Sequence, residues 1–372
     1  MIPVNEPSLG EKEFEYVNDC LKTGWISSAG KYIEAFEEQW AAYCGMKYGI
    51  AVSNGTVALQ VAMACFDLAP GDEVIMPTFT IISCGQAITY NGYRPVLVDA
   101  EPRTWTMDVS QIEKKITQKT KAIMPVHIYG HPCDMDPILN LAKKYNLVVL
   151  EDAAETHGAE YRGKKCGGLG DISCFSFYAN KIITTGEGGM ILTNNDDYAK
   201  KARSIRNLCF KPNRRFYHTE LGNNFRLTNL QAAIGLAQLE RVDELIEKKR
   251  WMGKAYTEKL QDISGLTLPV EESWAKNVYW MYGIVLDESV GLDAVEFAKR
   301  LYAQGVETRP FFLGMHEQPV LHAMGLFQNE RYPVSERIAK NGLYLPSGLT
   351  LTEDQMDRVA LAVKQIIREM KH

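Results

Sequence analysis

The sequence predicts an α/β protein, with a large first domain built on a mainly parallel seven-stranded sheet and a small α+β domain after it. Three observations predict this. From about Gly49 to Ile234, short β-branched runs alternate with amphipathic segments, the pattern of βαβ units. A helical periodicity then runs from Thr228 to about Leu260, with Leu230, Ile234, Ala237, Leu239, Val242 and Leu245 on one face. At 372 residues the chain is also too long for one small core.

The expected strands, in order, are Tyr48–Val52, Glu73–Pro77, Arg94–Val98, Lys121–Val126, Leu147–Leu150, Ile172–Ser176 and Gly189–Leu192. Helical stretches lie between them, such as Val57–Phe66 and Pro137–Tyr145, the second with Asp134 or Asp136 as its cap. A helix as long as Thr228–Leu260 often bridges two domains. The boundary is therefore placed near Lys248, giving domains of 1–247 and 248–372, with the first residues free to pack on the second. The remainder reads as strand Tyr279–Val285, helix Asp293–Gln304, strand Val306–Arg309 and helix Glu353–Lys371.

Composition excludes several classes. A formal net charge of -5 disfavours an electrostatic grip on nucleic acid or an anionic membrane. The basic run at Lys211, Arg214 and Arg215 reads as a solvated loop. No apolar stretch approaches the length of a membrane span, and the first residues lack the pattern of a secretory signal. The eight cysteines form no CxxC pair and several lie in apolar runs, so a reducing cytoplasm is expected, without disulfides or a metal site.

Three motifs carry chemistry. In Val148-Val149-Leu150-Glu151-Asp152 an apolar strand runs into a carboxylate at the end where ligands of open α/β sheets bind, although such an Asp can equally cap a turn or hold a metal. Lys181 follows the aromatic strand Phe175-Ser176-Phe177-Tyr178 and precedes the turn Gly186-Glu187-Gly188-Gly189. Burial there would lower its pKa and free an amine for Schiff-base chemistry. A surface lysine in a hairpin is the alternative. The glycine turn and Asp152, twenty-nine residues earlier (181 minus 152), argue against it. Third, Val52-Ser53-Asn54-Gly55-Thr56 leads a strand through a small-residue turn into a helix, which suits either an N-cap or a phosphate cradle. Taken together, the three supply what pyridoxal 5'-phosphate needs: an anion site, a carboxylate for the ring nitrogen and a lysine for the aldehyde.

With these residues in place, the sequence resembles the DegT/DnrJ/EryC1/StrS family of sugar aminotransferases, of fold type I (aspartate aminotransferase-like). The resemblance runs from Pro7 and Gly24-Trp25-Ile26-Ser27-Ser28, through Met124-Pro125-Val126-His127-Ile128-Tyr129-Gly130 and Cys133-Asp134-Met135-Asp136-Pro137, to Arg309-Pro310. Its most specific part is Ser176–Gly189.

The resemblance implies that Lys181 bonds the cofactor aldehyde and Asp152 pairs with the ring nitrogen. It places Glu155 near the ring hydroxyl and Gly55, Thr56 and Ser176 at the phosphate. Asn224 would reach the phosphate of a neighbouring subunit, which implies a homodimer with shared active sites. Arg309, His316 and Trp25 lie where family members approach the nucleotide-sugar, and each has a purely structural alternative.

The implied reaction moves an amino group from L-glutamate to C4 of a nucleotide-linked 4-keto-6-deoxy sugar, GDP-4-keto-6-deoxymannose before UDP- or dTDP-linked sugars or amination at C3. Members that dehydrate at C3 carry histidine in place of the lysine, so Lys181 speaks against that outcome. A non-catalytic regulator on the same fold is a further alternative, and a nicotinamide dehydrogenase lacks its GxGxxG after the first strand.

Two positions depart from the family pattern. Ile81 stands where an aromatic ring usually covers the cofactor, with Phe79 as a possible substitute. His157 stands where smaller apolar residues are common, and is expected to be a hydrogen-bonded structural histidine.

Overall fold

A computed structural model describes residues 1–370. Two helices that periodicity did not reveal open the chain, α1 (Glu11–Thr23) and α2 (Lys31–Tyr43). The strands follow as β1 (Tyr48–Val52), β2 (Glu73–Pro77), β3 (Arg94–Val98), β4 (Thr120–Ile123), β5 (Val148–Asp152), β6 (Glu160–Tyr161), β7 (Lys164–Lys165), β8 (Ile172–Ser176) and β9 (Gly189–Thr193). The later strands are β10 (Leu266–Thr267), β11 (Ala275–Lys276), β12 (Tyr282–Leu286), β13 (Arg309–Pro310) and β14 (Gly342–Leu345). Helices α3 (Gly55–Ala64) and α4 (Ile82–Tyr90) connect the first three strands of the large sheet.

Seven strands form the large sheet in the order β1-β9-β8-β5-β4-β2-β3. β9 runs antiparallel to both neighbours and every other pair is parallel. Because β1 and β8 both oppose β9, they are parallel to each other and to β5. Their carboxyl ends, Val52, Asp152 and Ser176, therefore lie along one edge, where an open α/β sheet binds its ligands. Register fixes this closely: Val52 and Ser176 both pair with Gly189, and Asp152 pairs with Cys174. The smaller sheet runs β10-β12-β14-β13, and a three-stranded patch runs β11-β6-β7.

Most expected elements recur within a few residues, and the differences have local causes. β4 stops at Ile123, just short of Pro125, which has no N–H for the ladder. β12 starts at Tyr282 rather than Tyr279, whose φ of 47° takes it out of strand geometry. The expected strand at Val306–Arg309 shrinks to Arg309–Pro310. The single periodic stretch from Thr228 is two helices, Asn229–Leu239 and Val242–Leu260, broken where Arg241 adopts φ -122° and ψ 19°. Val242, Leu245 and Ile246 still face the core after the break, so the apolar period hides it. Asp134 does occupy the N-cap of helix Met135–Tyr145, but its carboxylate accepts the Tyr161 hydroxyl at 2.7 Å instead of capping. The final helix spans Glu353–Glu369, and Lys371, the last residue of that expected stretch, lies outside the described residues.

The core changes hands along helix Val242–Leu260. Leu245 and Ile246 pack with the large sheet, whereas Met252, Tyr256 and Leu260 pack with the small one. The first residues join the small domain: Ile2 donates its N–H to Gly305 at 2.7 Å, and Val4 accepts from Ser347 N–H at 2.8 Å. Asn5 then reaches back to the large domain, donating from Nδ2 to the carbonyl of Asn180 at 3.2 Å.

Lys249, at the middle of that helix, is 1% exposed, and among the described residues no carboxylate pairs with it. Its ammonium donates to the carbonyls of Trp280, at 2.9 Å, and Ser347. Burial pushes its pKa down to about 7. In the unfolded chain the same group titrates near 10.4. Between these values the unfolded state binds the extra proton, so folding stability rises with pH. Relative to Lys249→Met, the native protein should gain about 1.4 kcal/mol per pH unit from about pH 7 to 10, measured by denaturant unfolding. Parallel pH profiles for the two proteins would refute this.

Candidate active site

The carboxyl edge of the large sheet and the small domain enclose a cavity of about 650 Å3, within the range typical of small-molecule sites. Gly55, Thr56, Ile81, Asp152, Glu155, Ser176 and Lys181 all line it.

The turn after β1 builds its first wall. Asn54 caps α3 by accepting from Val57 N–H at 3.0 Å, a contact worth about 1 kcal/mol. The cap and cradle readings of this turn are thus compatible. The amides of Gly55 and Thr56 begin the helix and have no carbonyl one turn earlier to bond. Thr56 Oγ1 lies 2.8 Å from Ser83 Oγ. Glycine at 55 is required by space, because a Cβ there would sit 2.7 Å from Ser176 Cβ. Two amides and three hydroxyls gathered at a helix N-terminus make an anion site.

Asp152 forms the back of the cavity. It is 2% exposed, and burial pushes its carboxyl pKa up. Its Oδ1 accepts from Ala154 N–H at 3.0 Å and its Oδ2 from the Cys84 thiol at 3.1 Å. Among the described residues no cation lies within ion-pair reach of it. A buried carboxylate in that position is matched to a ligand carrying a positive charge.

Lys181 and Glu155 face each other across the cavity, Nζ to Oε1, at 3.8 Å, with side chains only 9% and 7% exposed. Burial lowers the amine's pKa and raises the carboxyl's to about 7, and mutual attraction opposes both shifts. Glu155 is fixed by the Tyr129 N–H, 2.7 Å from its Oε2, where Tyr129 takes a left-handed φ of 51°. Beside them, Glu151 anchors the strand end. Its carboxylate accepts from the amides of Gly167, Leu169 and Gly170 and faces His127 Nε2 at 2.9 Å. His127, Glu151 and Cys166 approach within 4.8 Å, the spacing of a metal site. The His127 Nδ1 accepts from Cys133 N–H at 2.9 Å, so Nε2 carries the proton. Hydrogen bonds already occupy both His127 and Glu151.

Other expected residues lie elsewhere. His316 is 4% exposed, with Nδ1 2.7 Å from Thr78 Oγ1 and Nε2 3.3 Å from Glu336, and does not line the cavity. Arg309 pairs with Glu307 at 3.5 Å, while its neighbour across the ladder, Tyr344, lines the cavity in its stead. Trp25 is 58% exposed beside a separate surface cavity with Asp19 and Lys31. Asn224 is exposed outside its own chain's cavity, accepting from Arg226 Nε at 2.8 Å. Phe79 is buried among Tyr129, Phe311 and Phe312 and does not substitute for the ring missing at Ile81. His157 is fully buried between Trp40, Phe175 and Phe177, with its pKa lowered to about 3. It is a neutral packing residue, and no side chain hydrogen-bonds it.

The small domain adds Trp280, Phe312 and Tyr344, which sequence reasoning did not find. Trp280 lies in Asn277-Val278-Tyr279-Trp280-Met281-Tyr282, an apolar run with nothing local to mark it as part of a site.

The donor set fits pyridoxal 5'-phosphate. Gly55, Thr56, Ser83 and Ser176 would hold the phosphate, Asp152 the ring nitrogen and Lys181 the aldehyde.

Comparison with known proteins agrees. The model of the DegT/DnrJ/EryC1/StrS aminotransferase family matches residues 7–364. The chain is 47% identical to a GDP-perosamine synthase of Caulobacter vibrioides and 42% identical to one of Escherichia coli O157:H7, each match covering 98% of both chains. The crystal structure of the aminotransferase TlmJ from Streptoalloteichus hindustanus superposes with a TM-score of 0.93, at 29% identity, over 100% of both chains.

Substituting Gly55→Ala should weaken pyridoxal 5'-phosphate binding at least tenfold, because the added methyl pushes Ser176 and the first amides of α3 apart. Titrating cofactor-free protein by visible absorbance reads this. Unchanged affinity would mean that the phosphate sits elsewhere.

Proposed function

The chain belongs to the DegT/DnrJ/EryC1/StrS aminotransferase family, and we propose that it moves an amino group from L-glutamate to C4 of GDP-4-keto-6-deoxymannose, giving GDP-perosamine. That it is a pyridoxal-phosphate-dependent transaminase follows from the family. The choice of sugar rests on one observation: end-to-end identity of 42–47% to proteins named for that product. Nitrogen leaves glutamate, which becomes 2-oxoglutarate, and replaces the C4 carbonyl oxygen of the sugar.

When bound, the cofactor supplies an aldehyde to carry the nitrogen and a ring to accept the electron pair of a breaking C–H bond. The protein does the rest. The buried Asp152 carboxylate, held by Ala154 and Cys84, would favour a positive charge on the cofactor's ring nitrogen. Lys181 Nζ, once free, takes the proton from the donor's Cα and returns one to the sugar's C4. Burial suits the amine to this, because a depressed pKa leaves more of it neutral at physiological pH. Ile81 and Ala154 line the cavity on either side of Asp152 in sequence. Trp280, Phe312 and Tyr344 give the cavity an aromatic wall.

The same reading takes the protein to work in the cytoplasm as a homodimer, with Asn224 completing a neighbour's phosphate site. The eight cysteines are all free and buried, which suits a reducing compartment. Among the described residues no helix is long and apolar enough to cross a membrane.

Incubation with glutamate and GDP-4-keto-6-deoxymannose should release GDP-perosamine and 2-oxoglutarate in equal amounts, with UDP- and dTDP-linked keto sugars turned over at least tenfold more slowly. Lys181→Ala should abolish turnover. Preference for a UDP- or dTDP-linked sugar would overturn the substrate assignment, and residual glutamate-dependent amination by Lys181→Ala would overturn the mechanism.

A further inference from the structure

The amine of Lys181 rests on an aromatic ring. Its Nζ lies 3.6 Å from the centre of the Trp280 ring, with the Glu155 carboxylate on another side at 3.8 Å. We propose that Trp280 is a catalytic residue of this reaction, giving the Lys181 amine a face to rest on while it is free, so that it stays in reach of the reacting carbon. This rests on the reading of Lys181 as the reacting lysine.

Trp280 is built to hold still. It is 3% exposed. Its indole Nε1–H donates to the carbonyl of Asn180 at 2.8 Å, one residue before Lys181, so the ring is registered directly to that lysine's backbone. Its own carbonyl accepts from the buried Lys249 ammonium at 2.9 Å. Its ring stacks on Tyr129 at 6.2 Å and 22°, and Tyr129 in turn holds Glu155 through its N–H. The two groups beside the amine are thus tied to each other as well as to it.

An indole face has a specific merit here. A carboxylate alone would attract the ammonium and hold it as a hydrogen-bonded ion pair, keeping its protons. A π face attracts the cation through the ring quadrupole and accepts no conventional hydrogen bond. Like the carboxylate, the face favours the protonated amine, but it holds the amine in place without engaging its N–H bonds in hydrogen bonds. Asp152, at the end of β5, also bears on its charge, the neutral His157 lies within electrostatic reach of it, and Tyr344 on β14 lines the same cavity.

The test uses full-length protein stripped of cofactor, in native, Trp280→Leu and Trp280→Phe forms. The rate of covalent capture of pyridoxal 5'-phosphate is followed by visible absorbance from pH 6 to 10. Capture needs the neutral amine, so the midpoint of the rate profile reports that amine's proton affinity. Loss of the π face in Trp280→Leu should lower the midpoint by about one unit, a tenfold change in proton affinity. Trp280→Phe keeps a smaller face and should shift it less. Turnover of the reconstituted Leu variant should fall about tenfold, with KM for the GDP-sugar within threefold. If the Leu variant does not fold, the Phe variant decides, with a shift of about half a unit expected. Midpoints equal to the native value in the folded variants would overturn the proposal. Borohydride reduction and peptide mapping keep the two readings apart, because cofactor attached away from Lys181 would instead sink the reading of the lysine.

Discussion

Everything in the cavity answers to one constraint: an amine and two carboxylates, each almost wholly buried, face the same space. Two opposite charges about 4 Å apart attract by about 4 kcal/mol at the effective dielectric of a protein, while stripping water from each costs several kcal/mol. The opposing terms are of the same order. Burial thus lowers the pKa of the Lys181 amine and raises that of the Glu155 carboxyl, while the attraction between them opposes both shifts. Asp152 accepts from two donors of its own, the Ala154 N–H and the Cys84 thiol, and pairs with no cation among the described residues.

The edge that gathers these groups follows from strand direction. Parallel β1, β5 and β8 must end on the same side, and each motif that carries chemistry ends one of them or the turn just beyond. This is why the large-domain half of the site was legible in the chain. Gly55, Thr56, Asp152, Ser176 and Lys181 each stand at a strand end or turn, where periodicity breaks and residue type becomes informative. The other half was not legible. Trp280 and Tyr344 lie within apolar runs whose residues all look like core, and only the docking of the small domain singles out their rings. His316 misled for the converse reason: a histidine beside Phe311 and Phe312 has the chemistry of a ligand contact, yet Thr78 and Glu336 already engage both its nitrogens. The break at Arg241 was hidden because the apolar face continues on both sides of it.

Aromatic rings join the large sheet to the later part of the chain. Phe79 and Tyr129 of the large domain pack on Phe311, Phe312, Trp280 and Tyr344 of the small one, with ring centres 4.7 to 6.2 Å apart. Tilted and offset ring pairs of this kind add about 0.5–1.5 kcal/mol each beyond the area they bury. They also leave the cavity wall apolar, which sustains the dryness on which the buried charges depend.

The opening segment has a consequence for how the chain is made. Ile2 and Val4 leave the ribosome more than three hundred residues before their partners, Gly305 and Ser347. At about 5–20 residues per second that is an interval of roughly 15 to 60 s. During it the nascent chain carries two apolar side chains whose native neighbours have yet to emerge. Those two backbone bonds wait until Gly305 and Ser347 have emerged.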